Sequence, residues 1–291
     1  GSTLEVEVND QGQSDLVVAG TATINGGTVH VLAENRADSD VTFGPITDYT
    51  ILSAAGGISG RFDGLTEDFA FLDGSLAYTD SLVQLTLARN EIAFASVGQT
   101  PNQIATAGGI DSLNDGELVD TILGLDAARA RAGFDALSGE VHATAKSGLL
   151  SDSYFVRDAA NDRMRSDPET GLGLWSQGFE GWTNRDSDGN AAAMSQQAHG
   201  VAIGADQMAG DWRLGLLVSK SHSALAINDR SSSGTADSYI MGAYGSRSLE
   251  DINMRGGLTY GWHDISTDRS VQVGRFSDSL SADYDTSSLQ F

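Results

Sequence analysis

The sequence predicts a mainly β protein, with two β-rich regions of different character and a helical segment between them. Three observations carry that prediction. Residues 1–95 are short β-branched runs broken by Gly, Asn and Asp, with no helical period. Residues 100–166 lose those breakers and become rich in Ala, Leu, Asp and Arg. Residues 171–291 return to alternation in longer runs, and hold all four Trp: Trp175, Trp182, Trp212 and Trp262.

The first region reads as the runs Leu4–Val8, Leu16–Val18, Thr21–Ile24, Thr28–Leu32, Tyr49–Leu52 and Leu82–Leu87. Asn25-Gly26-Gly27, Gly56-Gly57, Asp63-Gly64 and Asp73-Gly74 are turn signals between and around them. The alternation Leu4-Glu5-Val6-Glu7-Val8 buries one face and wets the other. Short strands with Gly-rich corners suit a sandwich or a β-solenoid, and no strict repeat period chooses between them.

In the second region Leu118, Ile122 and Leu125 stand at i, i+4 and i+7, and Phe134 and Leu137 at i and i+3. Asp126 is a candidate N-cap. Ser138 is a candidate cap for a last helix running to about Arg165, ended by Asp167-Pro168. Residues 151–166 (SDSYFVRDAANDRMRS) are polar nearly all round, which suits a solvent-bridging helix or one inside a polar cavity.

The third region offers strands of about nine to twelve residues. Trp175, Gln177 and Phe179 oppose Ser176, Gly178 and Glu180. Val201, Ile203 and Ala205 oppose Ala202, Gly204 and Asp206. Leu214, Leu216 and Val218 oppose Arg213, Gly215 and Leu217. Later runs hold Tyr239, Met241 and Ala243, then Leu258, Tyr260 and Trp262. The connections alternate: long near 183–199, short near 207–211, longer and Ser-rich near 229–237, short near 246–252, long near 267–278. Such a rhythm is expected of an outer-membrane barrel, although a soluble antiparallel barrel or sandwich alternates too.

Composition removes several function classes. Lys plus Arg total 17 against 40 Asp plus Glu, a formal charge of −23, so a nucleic-acid partner is excluded. The first hundred residues hold 14 acidic and 3 basic side chains. Cys is absent, which excludes disulfides, a thiol nucleophile and thiolate metal sites. Hydrophobic residues at 40% suffice for a folded core. No run reaches the roughly 18 apolar residues of a membrane helix, a test that does not address strands. The chain starts at Gly1 without a signal-peptide pattern and is expected to be a segment of a longer protein.

No catalytic, cofactor or metal site is expected. His30, His142, His199, His222 and His263 show no ligand spacing, and no Gly-x-Ser-x-Gly elbow occurs. Asp186-Ser187-Asp188-Gly189-Asn190 lacks the bidentate Glu of a calcium loop. Gly171 and Gly173 neither follow a strand nor open a helix, as a dinucleotide motif must.

Taken in order, these segments resemble a bacterial autotransporter (type V secretion). YTILSAAGGISGRFDG at 49–64 and FAFLDGSLAYTDSLVQLTL at 69–87 look like the closing rungs of a pertactin-like passenger, its autochaperone region. DAARARAGFDALSGEVH at 126–142 and FVRDAANDRMR at 155–165 look like the linker and lumenal helix. WSQGFEGW at 175–182, HGVAIGAD at 199–206, WRLGLLVSKSHS at 212–223 and RGGLTYGWHDISTDRSV at 255–271 look like barrel strands.

The resemblance implies the C-terminal rungs of a right-handed β-helix (1–98), a helical linker and lumenal helix (99–170), and five or six of the twelve strands of an incomplete antiparallel transmembrane β-barrel (171–291). It implies a translocator in the Gram-negative outer membrane that secretes and displays its own passenger, with residues 1–98 seeding passenger folding. The implied partners are outer-membrane lipid, the outer-membrane assembly machinery, periplasmic chaperones and the passenger itself. Any enzymatic activity would lie upstream. Candidate lumenal contacts are Arg157, Asp158, Asp162, Arg163 and Arg165 on the helix, with Glu180, Asp206 and Arg213 as inward wall groups. Candidate seed-core residues are Ile51, Leu52, Phe62, Phe69, Phe71 and Leu85. The chain departs from the family in having only about half the strands, and in carrying Asn161-Asp162 rather than the Asn-Asn step at which some members cleave themselves. The alternative is a secreted β-solenoid adhesin or enzyme with a soluble C-terminal β-domain, which the outward face of the third-region strands would distinguish.

Overall fold

The computed structural model describes residues 1–9, 13–33, 43–166, 171–249 and 252–291. It divides into two compact units: Gly1–Ser138 with Val271–Asp278, and Gly139–Ser270 with Ser279–Phe291.

The first unit begins with seven strands: β1 (Thr3–Val8), β2 (Gln13–Val18), β3 (Ala22–Asn25), β4 (Thr28–Ala33), β5 (Ile46–Ala54), β6 (Ile58–Arg61) and β7 (Gly64–Glu67). They stack in parallel: β1 on β4 on β7, β2 on β5, β3 on β6. Thr3 pairs with Thr28, and Thr28 with Gly64, so successive layers differ in length and no single period is legible in the sequence. The stack ends with a change of direction. Strands β8 (Leu72–Tyr78) and β9 (Leu82–Arg89) form an antiparallel hairpin, and β9 pairs antiparallel with β5.

Close approach fixes one corner. Gly60 has φ +84°, and a Cβ there would stand 1.9 Å from the Ile24 carbonyl oxygen, so only Gly fits. Alternation then directs Val6, Val29, Val31, Ile51, Leu85 and Leu87 inward. Of the candidate seed-core residues, Ile51, Leu52, Phe69, Phe71 and Leu85 are buried, and Phe62 is partly buried against the same core.

Three helices complete this unit: α1 (Pro101–Asp111), α2 (Glu117–Leu123) and α3 (Ala127–Leu137). Asp126 caps α3 as expected, accepting from Ala128 N at 2.9 Å and Arg129 N at 2.8 Å. Helix α1 was legible in Thr100-Pro101-Asn102-Gln103 but not anticipated. The Thr100 hydroxyl accepts from Gln103 N, the Gln103 side chain accepts from Thr100 N, and Pro101 fills the first turn. The buried helix residues Ala107, Ile122, Ala130 and Phe134 join the core of the strand stack, as do Val271 and Val273. The compact unit therefore runs to Ser138 and does not stop at the end of the strands near residue 98.

The second unit holds helix α4 (Glu140–Arg165) and six antiparallel strands in sequential order: β10 (Gly173–Arg185), β11 (Met194–Ala209), β12 (Trp212–Ile227), β13 (Ser232–Leu249), β14 (Ile252–Val273) and β15 (Phe276–Gln290). Two expectations are corrected. Gly139, not Ser138, precedes α4, and it makes no side-chain cap. Strands of 13 to 22 residues replace the nine to twelve expected. The Ser-rich stretch 229–237 and the stretch 267–278 are mostly strand, joined by short connections at Asn228–Ser231 and Gly274–Arg275. Ser, Thr, Asp and Arg outnumber the few apolar residues there (Ala236, Val271 and Val273 among them), so polarity alone misassigned these stretches to loops. Asp167-Pro168 lies outside the described residues.

Candidate functional site

The face of the sheet that meets α4 is built from one parity of strand positions. On it lie Gln196 and Asp206 of β11, Arg213, Ser219, Ser221 and Ser223 of β12, Ser238 and Tyr244 of β13, and His263 and Thr267 of β14, all buried. The other parity is exposed and apolar. Leu174 is 73% exposed, Leu216 66%, Val218 55% and Ile203 52%. This reverses the ordinary rule that apolar side chains turn to the core and polar ones to water.

The registers of the four antiparallel pairs place the outward residues in rows across the sheet. One row is Leu174, Ala205, Leu216, Ala243 and Leu258. The next is Ser176, Ile203, Val218, Met241 and Tyr260, followed by Gly178, Val201, Lys220, Tyr239 and Trp262. On the opposite side the rows run through Leu214 to Trp212 and Met254 at the short-turn end. Beyond Trp262 the row changes abruptly to Glu180, His199, His222, Asp237 and Asp264, five ionisable residues. The four intervals of about 6.7 Å between the five rows from Trp212 to Trp262 make a band of roughly 20 Å after the strand tilt typical of membrane barrels.

Helix α4 meets the polar face along its length. At its C-terminal end Arg163 grips Asp206 bidentately, Nε to Oδ2 at 2.7 Å and Nη2 to Oδ1 at 3.0 Å. The Tyr244 hydroxyl donates to Asp206 at 2.7 Å, and Trp175 Nε1 donates to the Tyr244 hydroxyl at 2.6 Å. Arg213 donates to the Arg163 and Ser166 carbonyls at the C-terminal end of the helix, and its Nε lies 4.0 Å from Asp206. Two guanidinium groups thus face one carboxylate and the negative end of a helix dipole. That balance allows Asp206 and Arg213 to be 5% and 4% exposed without an unpaired buried charge.

Shape supports the same seating. Val156, Ala160 and Met164 pack against Leu217, Ile240 and Tyr244. Phe155 stacks on Phe179 at 5.2 Å and lies over Gly181, where a Cβ would stand 2.3 Å from the ring. Gly148 admits Gln196, whose amide donates to both Asp152 oxygens at 2.9 and 3.0 Å. Nearer the helix start, Glu140 accepts from Ala192 N at 3.0 Å and lies 3.7 Å from Arg230.

Among the candidate contacts, the structure brings Arg163, Asp206 and Arg213 together. Glu180 is corrected: it shares parity with Leu174 and Trp182, stands on the outward face, and accepts from Gln197 at 3.2 Å. The error was one of parity, since Trp175 and Phe179 are the inward residues of β10. Arg157 and Asp158 are exposed, the former with its guanidinium 4.1 Å over the Tyr154 ring. Asp162 pairs with Arg165 at 3.0 Å on the exposed side of the helix. Tyr244 was legible as sharing a face with Ile240, whereas Gln196 and Asp152 carried no sequence signal for pairing.

No described cluster of three or more His, Asp or Glu could hold a metal ion. The 186–190 loop closes on itself instead: Asp188 Oδ1 accepts from Asn190 N at 2.9 Å and Ala191 N at 2.7 Å. Those backbone donors, Ala191 first, hold the Asp188 carboxyl below its ordinary value.

Residues 174–291 match the family described as autotransporter beta-domain. Two proteins of Serratia marcescens, each named extracellular serine protease, are 29% and 26% identical to the chain over 98% of its length. The aligned part is 32% of each relative, so the chain spans about a third of their length. The matched stretch, Leu174 to Phe291, is the one that carries the inverted sheet.

Proposed function

We propose that residues 171–291 form wall strands of an outer-membrane β-barrel translocator, with α4 in its lumen and residues 1–98 as the end of a β-helical passenger. The observation that carries this reading is the inverted sheet: apolar rows outward, Ser, Thr, His, Asp and Arg toward the helix. Lipid is the environment in which that distribution is stable. A helix of 26 residues extends about 39 Å, enough to thread a hydrocarbon layer of about 30 Å. No described helix is long and apolar enough to cross lipid by itself, so α4 needs the polar wall.

The parallel stack β1–β7 closed by the β8–β9 hairpin supports the β-helix assignment of 1–98. A solenoid grows by adding a layer to an existing edge, so a stable terminal unit biases passenger folding outward from this end. Ile51, Leu52, Phe62, Phe69, Phe71 and Leu85 supply its core. Residues 99–170 link the two parts. The barrel is placed in the Gram-negative outer membrane, with its own passenger, the assembly machinery and periplasmic chaperones as partners and no nucleic acid. These residues act in secretion and display, and any catalysis is assigned to passenger sequence upstream of them.

Protease shaving of intact cells making the complete natural protein tests the arrangement. The 1–95 region should be lost while the 171–291 region survives until the membrane is breached. Release of both regions into the soluble fraction without detergent would instead establish the soluble β-domain reading.

A further inference from the structure

We propose that an outward notch beside Lys220 holds the phosphate headgroup of one membrane lipid at the rim of the apolar band, an inference that rests on reading this sheet as lipid-embedded. The notch measures about 770 Å³ and opens where the last apolar row meets the ionisable one. It exists because Gly178 has no side chain on the outward face between Ser176 and Glu180. A Cβ added there would meet only the Gly200 carbonyl oxygen, at 4.0 Å.

Its polar rim suits a phosphate. Lys220 lies across β11 from Gly178, in the row of Tyr239 and Trp262, with its ammonium 5.2 Å from the Tyr239 ring centroid. His199 and His222 stand one row above as direct cross-strand partners, ring centroids 5.6 Å apart. The flanking carboxylates have local partners: Glu180 accepts from Gln197 at 3.2 Å, and Asp237 lies 3.1 Å from His222 Nδ1. Among the described strand residues, the outward cations are Lys220 and Arg247, at opposite ends of the band, and Arg247 is held by Asp211 at 2.9 Å. Lys220 makes no ion pair among the described residues. A cation, the His199 imidazole, an aromatic girdle and an open notch thus coincide at headgroup depth, with apolar rows immediately below for the acyl chains. Lysine snorkelling alone would explain the cation but not the notch.

The test uses the full-length protein in detergent micelles, with dioleoyl phosphatidic acid as probe and lipid retention read by native mass spectrometry. Dioleoylglycerol, which has the same chains without phosphate, and inorganic phosphate are the comparisons. The wild type should retain phosphatidic acid about fivefold over dioleoylglycerol, the gain expected of one lysine at an anionic lipid surface, and should not retain inorganic phosphate. Lys220→Gln and Gly178→Leu should each bring retention down to the dioleoylglycerol level while keeping the folded, heat-modifiable gel band. Equal retention of the two lipids by the wild type, or undiminished retention by Gly178→Leu, overturns the proposal. So does retention of inorganic phosphate in place of the lipid. A wild type that stays soluble without detergent overturns the membrane reading itself, whereas a detergent-dependent wild type without headgroup preference removes only the notch.

Discussion

The two units use one chemical alphabet in opposite directions. In the first, strand alternation turns Val, Leu, Ile and Phe into a shared core and leaves Thr, Asp and Glu outside. In the second, the same alternation sends Leu, Val, Ile and Met outward and Ser, Gln, Asp and Arg against a helix. Period-two patterning therefore specifies that a strand has two faces, not which face is the interior. That choice is made by what the polar side can satisfy. The Asp206 cluster and the Arg213 contacts to the helix end are complete enough to be buried, so the apolar parity is free to face lipid.

Each way of breaking this contrast has its own scale. The largest effects should come from the two interiors. Phe71→Ala removes a fully buried ring that meets Phe94 edge-on at 4.7 Å, and should cost the first unit about 4 kcal/mol in urea unfolding. Asp206→Ala leaves Arg163 without its buried carboxylate and should cost about 3 kcal/mol, seen as a lower temperature for loss of heat-modifiability on gels. If Asp206→Ala is silent, the helix is not held by that cluster. Leu216→Arg comes next. On a lipid-facing row it should cost about 2–4 kcal/mol of membrane insertion, whereas a surface arginine on a soluble sheet would be nearly neutral.

The smallest effect lies in the first unit. Desolvation, then the charge of Asp73, raises the Glu67 pKa above its ordinary 4.5. The folded state then binds this proton more tightly than the unfolded one, so the favourable contribution is present below the unfolded pKa and is lost as pH rises through the folded value. Glu67→Gln should accordingly stabilise the first unit at neutral pH by less than about 0.5 kcal/mol, with the gain vanishing in acid. A gain that persists unchanged at low pH would assign the effect to packing.

What the sequence made legible follows from the same contrast. The β-helix-β order, the Asp126 cap and the Arg163, Asp206 and Arg213 candidates came from local patterns or from the family resemblance. Glu180 failed because parity had to be chosen without knowing which face held the helix. The strand lengths failed because Ser and Asp at 229–237 and 267–278 resemble loop composition while keeping ladder pairing. Gln196 and Asp152 were invisible because they meet only through the seating of α4, a contact 44 residues apart in the chain.

The absence of Cys makes the central claim directly measurable, since single cysteines can be introduced and spin-labelled at successive positions from 214 to 221 in the full-length protein reconstituted into bilayers. Lipid-soluble oxygen should reach labels at 214, 216 and 218, and labels at 217, 219 and 221, buried toward α4, should be shielded from it, in strict alternation. Uniform aqueous access, or alternation of the opposite phase, would contradict the inverted sheet and with it the translocator reading.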